Sequence, residues 1–229
     1  MINIAIDGPA GAGKSTIAKK VAAKLSFIYV DTGAMYRAMA LYLNRNGISA
    51  DDTERIAAAC TGAEISIEYR NGEQVVLLGG ENVNPFLRTE EVSAMASKSS
   101  AVPQVRTRLV QLQQELAAAQ NVVMDGRDIG TVVLPHAQVK IYLTASVEVR
   151  ARRRFLELQE KGEPAVFETI AADIAERDHR DMTREVSPLK QADDAVLVDT
   201  SDMTIDEVTE RILRIVEEKT GLLKGDSNV

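Results

Sequence analysis

The sequence has few of the features that build disulfide scaffolds or membrane spans. Its single cysteine, Cys60, cannot form a disulfide within the chain, and it lies in an Ala-rich helical stretch with no nearby His or Cys to complete a metal site. Apolar runs such as residues 141–143 and 195–198 are far shorter than the roughly 20 residues of a membrane helix. Residues 1–4 begin no basic signal segment. These absences predict a structural cysteine, no membrane partner and a cytoplasmic location.

Basic charge is also scarce overall. The net charge is −7 at pH 7, whereas a protein that coats nucleic acid needs a basic surface to replace counterions. Arginines nevertheless cluster within residues 150–154 and 177–184 of this acidic chain. We therefore expect small phosphate compounds, and not nucleic acid, as ligands.

Strand-like and helical segments alternate along the chain, which predicts an α/β fold with a mainly parallel sheet. The predicted strands cover residues 2–6, 27–30, 121–124, 139–143 and 195–198. The predicted helices of the same pattern cover residues 14–25, 34–44, 103–119, 147–160, 166–181 and 205 onward. The five strands are enough for one sheet flanked by helices.

Residues 63–98 interrupt this alternation and predict a small antiparallel insert. Residues 64–69 and 74–78 alternate in period 2 around Asn71-Gly72, a strong hairpin signal because both turn residues tolerate positive φ. A third extended piece is expected at residues 81–84, and a helix at 89–98 with Thr89 as its N-cap. The tail at residues 224–229 is expected to be disordered.

Residues 8–15 read GPAGAGKS and match the phosphate-binding loop G-x-x-x-x-G-K-[ST] between a predicted strand and a predicted helix. In such a loop the glycines let backbone N–H groups converge on phosphate oxygens at a helix N-terminus, where the helix dipole adds positive charge. The residues expected to bind a nucleoside triphosphate are Gly8, Pro9, Ala10, Gly11, Ala12, Gly13, Lys14, Ser15 and Thr16.

Three polar residues end this loop. Lys14 is expected to reach the β- and γ-phosphates, and the Ser15 hydroxyl to ligate Mg²⁺. Thr16 either contacts the phosphates or is only a first-turn helix residue. GTPases, motors and kinases all share such a loop, but the sequence has no guanine-reading N-K-x-D motif, which argues against a GTPase.

Further motifs resemble those of bacterial cytidylate kinases. They are GPAGAGKS, DTGAMYRA from Asp31, SSAVPQVR from Ser99, VVMDGRDIGTVV from Val122, ARRR with ELQEKG, and ERDHRDMTR from Glu176. They are spread over nearly the whole chain, and the hairpin insert fits the enlarged monophosphate-binding domain of that family. The resemblance implies a single P-loop kinase domain over residues 1–229, with a core at 1–62 and 99–229, a monophosphate-binding insert at about 63–98 and a helical lid at about 150–165.

The resemblance also implies the reaction and the acceptor site. ATP would donate its γ-phosphoryl group to CMP or dCMP with Mg²⁺ as cofactor, in a monomeric enzyme. The residues implied are Arg37, Arg127 and Arg184 for the acceptor phosphate, Thr32, Arg106 and Asp128 for the cytosine ring, and Ser97, Arg177 and Asp181 for the ribose. Their chemistry fits, because guanidinium forks suit phosphates and a carboxylate accepts from the cytosine N4 amino group. Alternatively, Asp128 pairs with Arg127 or caps the next turn, and Arg177 pairs with Asp181.

Phosphoryl transfer requires positioning and charge neutralisation more than a reactive side chain. We expect Lys14, Arg150 and Arg154 to serve this role, the two arginines from the lid, unless they form only a solvated helix face. Asp125 either holds Mg²⁺ through water or orients Arg127. Competing hypotheses are a kinase of another small acceptor such as UMP and a nucleotide-gated binding module. Two separate sets of arginines favour a kinase, because they imply two phosphates that are brought together.

Overall fold

The computed structural model describes residues 1–222, and the tail predicted to be disordered lies outside them. The chain divides into two compact units. The first unit contains Met1 and residues 28–122, and the second contains residues 2–27 and, among the described residues, 123–222. The bounds of these two units differ from those of the core, insert and lid expected from the sequence, and that division stays a prediction.

The secondary structure alternates as predicted. The strands are β1 Asn3–Asp7, β2 Ile28–Asp31, β3 Ile65–Arg70, β4 Glu73–Leu78, β5 Glu81–Asn82, β6 Val122–Gly126, β7 Val139–Thr144 and β8 Val196–Asp199. The helices are α1 Lys14–Leu25, α2 Thr32–Arg45, α3 Thr53–Ala59, α4 Glu90–Ser99, α5 Pro103–Ala119, α6 Val147–Glu160, α7 Phe167–Thr183 and α8 Ile205–Thr220. A five-stranded sheet has the order β2-β6-β1-β7-β8, and a three-stranded sheet has the order β3-β4-β5. The predicted α/β fold with a five-stranded parallel sheet and a small antiparallel sheet is confirmed.

The second unit is built on strands that pair in parallel. Strand β7 pairs with β1 on one side, where Ile6 lies opposite Ile141, and with β8 on the other. The central strands β1 and β7 are mostly buried, and Ile4 and Leu143 are fully buried, whereas Leu197 in the edge strand β8 is 50% exposed. Parallel strands end at one edge, so the residues that follow β1, β6 and β7 can share a site.

The first unit contains the antiparallel hairpin. Strands β3 and β4 pair from Ile65 opposite Leu78 to Arg70 opposite Glu73, and Asn71 and Gly72 both have positive φ, at 54° and 78°. This matches the predicted turn. Thr89 also caps α4 as predicted, because its hydroxyl accepts a hydrogen bond from the Val92 N–H.

Two features differ from the sequence-based expectation. Strand β5 is only two residues long, because Asn84 turns its side chain onto β4, where it accepts from the Val76 N–H and donates to the Gln74 carbonyl. A turn of π-helix at Ile129–Val133 was not predicted, although it follows directly on predicted site residues. Over residues 1–222, no helix combines the length and the apolar character that a membrane crossing requires.

Candidate active site

The loop at residues 8–13 connects β1 to α1, as the motif requires. Gly8 has a φ of 151°, and any side chain at this position would collide with the backbone carbonyl of Leu143 in β7. Gly11 and Gly13 also have positive φ, at 74° and 85°. Gly13 is the N-cap of α1 and makes no side-chain capping bond, so the first turn of the helix faces the loop with its backbone N–H groups. This geometry suits a phosphate group.

Lys14 is the first residue of α1, directly after this loop. Its side chain is buried, and its ammonium group donates a hydrogen bond to the Pro9 carbonyl oxygen at 2.7 Å. Burial, reinforced by the positive charge of Arg127, holds the pKa of Lys14 well below its usual value, while Asp125 and Asp7 oppose the shift. The ammonium group therefore lies in a place where an additional negative charge is favourable.

Ser15 and Asp125 form an oxygen pair at the edge of the sheet. The Ser15 hydroxyl donates to the Asp125 carboxylate at 2.9 Å, and Asp125 is buried near the end of β6. A hydroxyl and a carboxylate oxygen at hydrogen-bond distance fit Mg²⁺, which takes one or two protein oxygens and completes its shell with water and phosphates. Among residues 1–222, no group of three or more His, Cys, Asp or Glu side chains is arranged to hold a metal.

Asp7 is a further buried carboxylate, which sequence reasoning did not identify as a site residue. It ends β1 directly before the loop and accepts hydrogen bonds from the backbone N–H groups of Ile129 at 2.8 Å and Gly130 at 2.7 Å. Burial raises its pKa to about 6, while the two N–H groups oppose the rise. The sequence signal that could have identified Asp7 is a charged residue at the end of an apolar strand.

Four predicted acceptor residues lie together in the second unit. Arg127 donates from Nε to Asp181 at 2.8 Å, and Arg184 lies 3.9 Å from Asp181 and 3.8 Å from Asp128. Burial alone would raise the pKa of Asp181, but the charges of Arg127, Arg177 and Arg184 and the Arg127 hydrogen bond hold it below its usual value. The cluster thus contains guanidinium groups oriented by carboxylates. Asp128 pairs with Arg184 here, and the alternative in which it pairs with Arg127 stays a prediction.

The two arginines expected in a lid differ in their surroundings. Arg150 is buried, and it donates to the carbonyl oxygens of Ala145 and Ala10, each at 2.9 Å, and pairs with Asp178 at 2.7 Å. Ala10 belongs to the phosphate loop, so Arg150 ties α6 to that loop and to α7. Arg154 is half exposed and pairs with Glu157 at 2.9 Å. Their roles in transfer stay predictions.

In the first unit, Asp31 organises the start of α2. Its carboxylate caps the helix by accepting from the Ala34 N–H at 2.8 Å, and it lies 3.3 Å from Arg37. The side chain of Gln74 in β4 accepts from the Asp31 N–H at 2.8 Å and donates to the Asp31 carbonyl at 3.2 Å. The hairpin thus fixes the backbone of the residue that orients Arg37. Thr32, the next residue, is buried as the first residue of α2.

Arg106 and Ser97 belong to the same unit. Arg106 is buried on α5, donates to the Ser100 carbonyl at 3.2 Å, and has its guanidinium carbon 5.5 Å from the ring centroid of Tyr36. This cation–π contact favours a position of the guanidinium over the ring. Ser97 is partly buried on α4, and its backbone carbonyl accepts from the Ser100 hydroxyl. Tyr36 was not singled out from the sequence.

Comparison with known proteins identifies the family. The sequence model described as cytidylate kinase matches residues 4–218. A cytidylate kinase of Caldicellulosiruptor bescii is 50% identical over 214 residues, which cover 93% of this chain and 95% of that protein. One of Shouchella clausii is 51% identical, over 94% of this chain and 96% of that protein. An uncharacterized protein from Eubacterium ventriosum, whose crystal structure has a TM-score of 0.53 at 13% identity and covers 95% of this chain and 99% of that one, shares the fold. The chain belongs to the cytidylate kinase family.

Proposed function

We propose that this protein transfers the γ-phosphoryl group of ATP to CMP, and also to dCMP, and releases ADP with CDP or dCDP. Membership of the cytidylate kinase family supports this reaction. The structural observation that carries it is the end of β6, where Asp125 bonds to Ser15 of the phosphate loop and Arg127, two residues later, bonds to Asp181. One strand end thus serves both a triphosphate site and a cluster of arginines.

On the donor side, the loop N–H groups and Lys14 bind the phosphates of ATP. The Lys14 ammonium group exchanges its hydrogen bond to the Pro9 carbonyl for bonds to the β- and γ-phosphates. Ser15 would hold Mg²⁺ directly, and Asp125 would hold it through water. When bound, Mg²⁺ neutralises charge on the phosphate oxygens. The side chains of the loop therefore bind and orient, and none of them forms a covalent intermediate.

On the acceptor side, Arg127 and Arg184 bind the phosphate of CMP, together with Arg37. Each already has its guanidinium fork oriented by a carboxylate, Asp181 for Arg127 and Asp31 for Arg37. A phosphate dianion is a better partner for two guanidinium forks than a single shared carboxylate. The acceptor phosphate is itself the nucleophile, so its position is what these arginines contribute.

Base selection is assigned to Asp128, Thr32 and Arg106. The carboxylate and the hydroxyl accept from the N4 amino group of cytosine, and the guanidinium donates to the ring. Uracil has an oxygen at position 4, and the buried Asp128 would face it with a lost bond and with repulsion, at a cost of about 1–3 kcal/mol. CMP is therefore preferred over UMP.

The remaining residues bind the ribose and cover the transferring group. Ser97, Arg177 and Asp181 are assigned to the ribose hydroxyls. Arg150 and Arg154 are assigned to charge neutralisation during transfer, with Arg150 acting close to the loop that it already contacts. The proposed enzyme is a cytoplasmic monomer, and light scattering of the purified protein would test its mass.

The test is an assay of ADP release with ATP and Mg²⁺, in which CMP, dCMP, UMP and AMP are offered in turn. We expect turnover with CMP and dCMP, and at least ~10-fold lower kcat/KM with UMP. Asp128→Ala is expected to lose most of that discrimination. Asp173→Ala, which removes an exposed carboxylate on α7, is the matched control and is expected to behave like the wild type.

Two outcomes would contradict this proposal. Equal turnover of all four acceptors would remove the assigned base site, although the protein would remain a kinase. ATP hydrolysis that is indifferent to every acceptor would instead favour the nucleotide-gated binding module.

A further inference from the structure

The turn that follows Asp128 is capped by a carboxylate from another strand. The first backbone N–H groups of this turn, those of Ile129 and Gly130, donate to the two oxygens of Asp7 at 2.8 and 2.7 Å. Asp7 precedes them by more than a hundred residues and lies at the end of β1. A carboxylate that receives two N–H groups is a strong cap, because each hydrogen bond is assisted by charge.

This arrangement is unusual because an aspartate already stands at the N-cap position. Asp128 begins the turn, and its backbone carbonyl accepts from the N–H groups of Val132 at 2.9 Å and Val133 at 3.2 Å. An aspartate at an N-cap ordinarily folds its own side chain onto the N–H groups of the first turn. Here the Asp128 side chain makes no capping hydrogen bond, and its carboxylate lies toward Arg184.

We propose that Asp7 is a positioning residue that caps this turn in place of Asp128 and thereby keeps the Asp128 carboxylate directed away from its own turn and toward the acceptor base. The inference rests on the proposed function, in which Asp128 reads cytosine. It assigns to the residue directly before the phosphate loop a part in acceptor selection.

A second buried side chain holds the far end of the same segment. Lys140 of β7 donates to the Pro135 carbonyl at 2.6 Å and to the Asp194 carboxylate at 2.9 Å. Gly130 lies against both anchors, because a Cβ there would be 3.3 Å from an Asp7 oxygen and 3.2 Å from the Lys140 side chain. Side chains of two neighbouring strands thus fix the segment at its start and its end.

Removal of the Asp7 charge tests the proposal. In Asp7→Asn the amide oxygen still accepts from one N–H group, but the amide NH₂ faces the other, which is left without an acceptor. That N–H group becomes available to Asp128, whose side chain can fold back onto its own turn. In Asp7→Ala both N–H groups compete for Asp128, so the effect is larger.

The experiment measures kcat and KM of wild type, Asp7→Asn and Asp7→Ala with CMP and with UMP at saturating ATP, and the KM for ATP at saturating CMP. We expect the ratio of kcat/KM for CMP to that for UMP to fall by ~10-fold in Asp7→Asn and further in Asp7→Ala. The KM for ATP should stay within about threefold of the wild-type value. Asp206→Asn, which makes the same charge change at an exposed position on α8, should leave the ratio unchanged.

The same data distinguish the two proposals. If the wild type prefers CMP and Asp128→Ala abolishes this preference, a wild-type CMP/UMP ratio in Asp7→Asn would overturn the role of Asp7 and leave the proposed function intact. Parallel losses with CMP and UMP, accompanied by a raised KM for ATP, would also overturn it, because they indicate a general distortion of the loop. A wild type with no preference for CMP would contradict the proposed function itself.

Discussion

Replacing Asp178 with leucine is expected to destabilise the protein by about 3 kcal/mol, because it leaves the Arg150 charge buried and unbalanced. The side chains of the two residues are only 4% and 11% exposed, and their ion pair measures 2.7 Å. Breaking such a pair from one side costs about 3–5 kcal/mol. We expect the lower end of this range because Arg150 retains its bonds to the carbonyls of Ala145 and Ala10.

The double variant Arg150→Met with Asp178→Leu tests whether the unbalanced charge of Arg150 causes the loss of stability. It removes both charges, and it also removes the Asp178 Oδ1 atom, which is buried without a hydrogen bond. The remaining cost is that of two carbonyl groups that lose a donor, about 1 kcal/mol each. The double variant should therefore be more stable than Asp178→Leu alone.

Equilibrium urea unfolding and thermal melts of the three proteins provide the measurement. A loss of 3 kcal/mol corresponds to a fall in Tm of about 6–12 °C for a chain of this length. Arg152→Met with Glu148→Leu, which removes an exposed ion pair on α6, should change stability by less than about 1 kcal/mol. The reasoning is refuted if Asp178→Leu costs less than 1 kcal/mol, or if the double variant is the least stable of the set.

Two further predictions concern Asp7 and Gln74. Burial raises the pKa of Asp7 from 3.8 to about 6, and the charge of Asp128 adds to this rise while that of Lys14 opposes it. Protonation of Asp7 therefore stabilises the folded protein. This contribution is complete below pH 3.8 and is lost as the pH rises through about 6. Relative to Asp7→Asn, the wild type should lose about 2 kcal/mol of unfolding free energy between pH 4 and pH 7 in urea titrations, and a constant difference would contradict this. Gln74→Leu removes both hydrogen bonds to the Asp31 backbone and should raise the KM for CMP by ~3- to 10-fold with the KM for ATP unchanged in initial-rate assays, whereas equal changes in both would refute it.

Local signals in the sequence predicted most of the fold. The bounds of α1, α5 and α6 coincide with the prediction, and Pro103 stands at the first position of α5, which suits proline. The hairpin was predicted from Asn71-Gly72, because this pair is a strong sequence signal for a turn with two positive φ angles. The phosphate loop was also predicted from a local signal, because its motif consists of consecutive residues.

Long-range partners could not be predicted in this way. The importance of Asp7 depends on N–H groups far along the chain, and the burial of Arg150 depends on Asp178 in another helix. A basic residue on a helix looks the same in sequence whether it is solvated or buried. The π-helical turn at Ile129–Val133 was missed because its bonds, such as that from Leu134 N to Ile129 O, follow a spacing with no simple apolar period.

The Pro9 carbonyl oxygen of the phosphate loop competes with any ligand for the ammonium group of Lys14. Before any nucleotide binds, the lysine is already held by a carbonyl of the loop at 2.7 Å. A ligand gains only the difference between its own bond to the ammonium group and the one it displaces. That difference is large for a polyphosphate, whose charge is high, and small for a neutral acceptor or a single hydroxyl group. If the proposed function is correct, the loop would therefore favour highly charged phosphate ligands over neutral ones without any contact to the base.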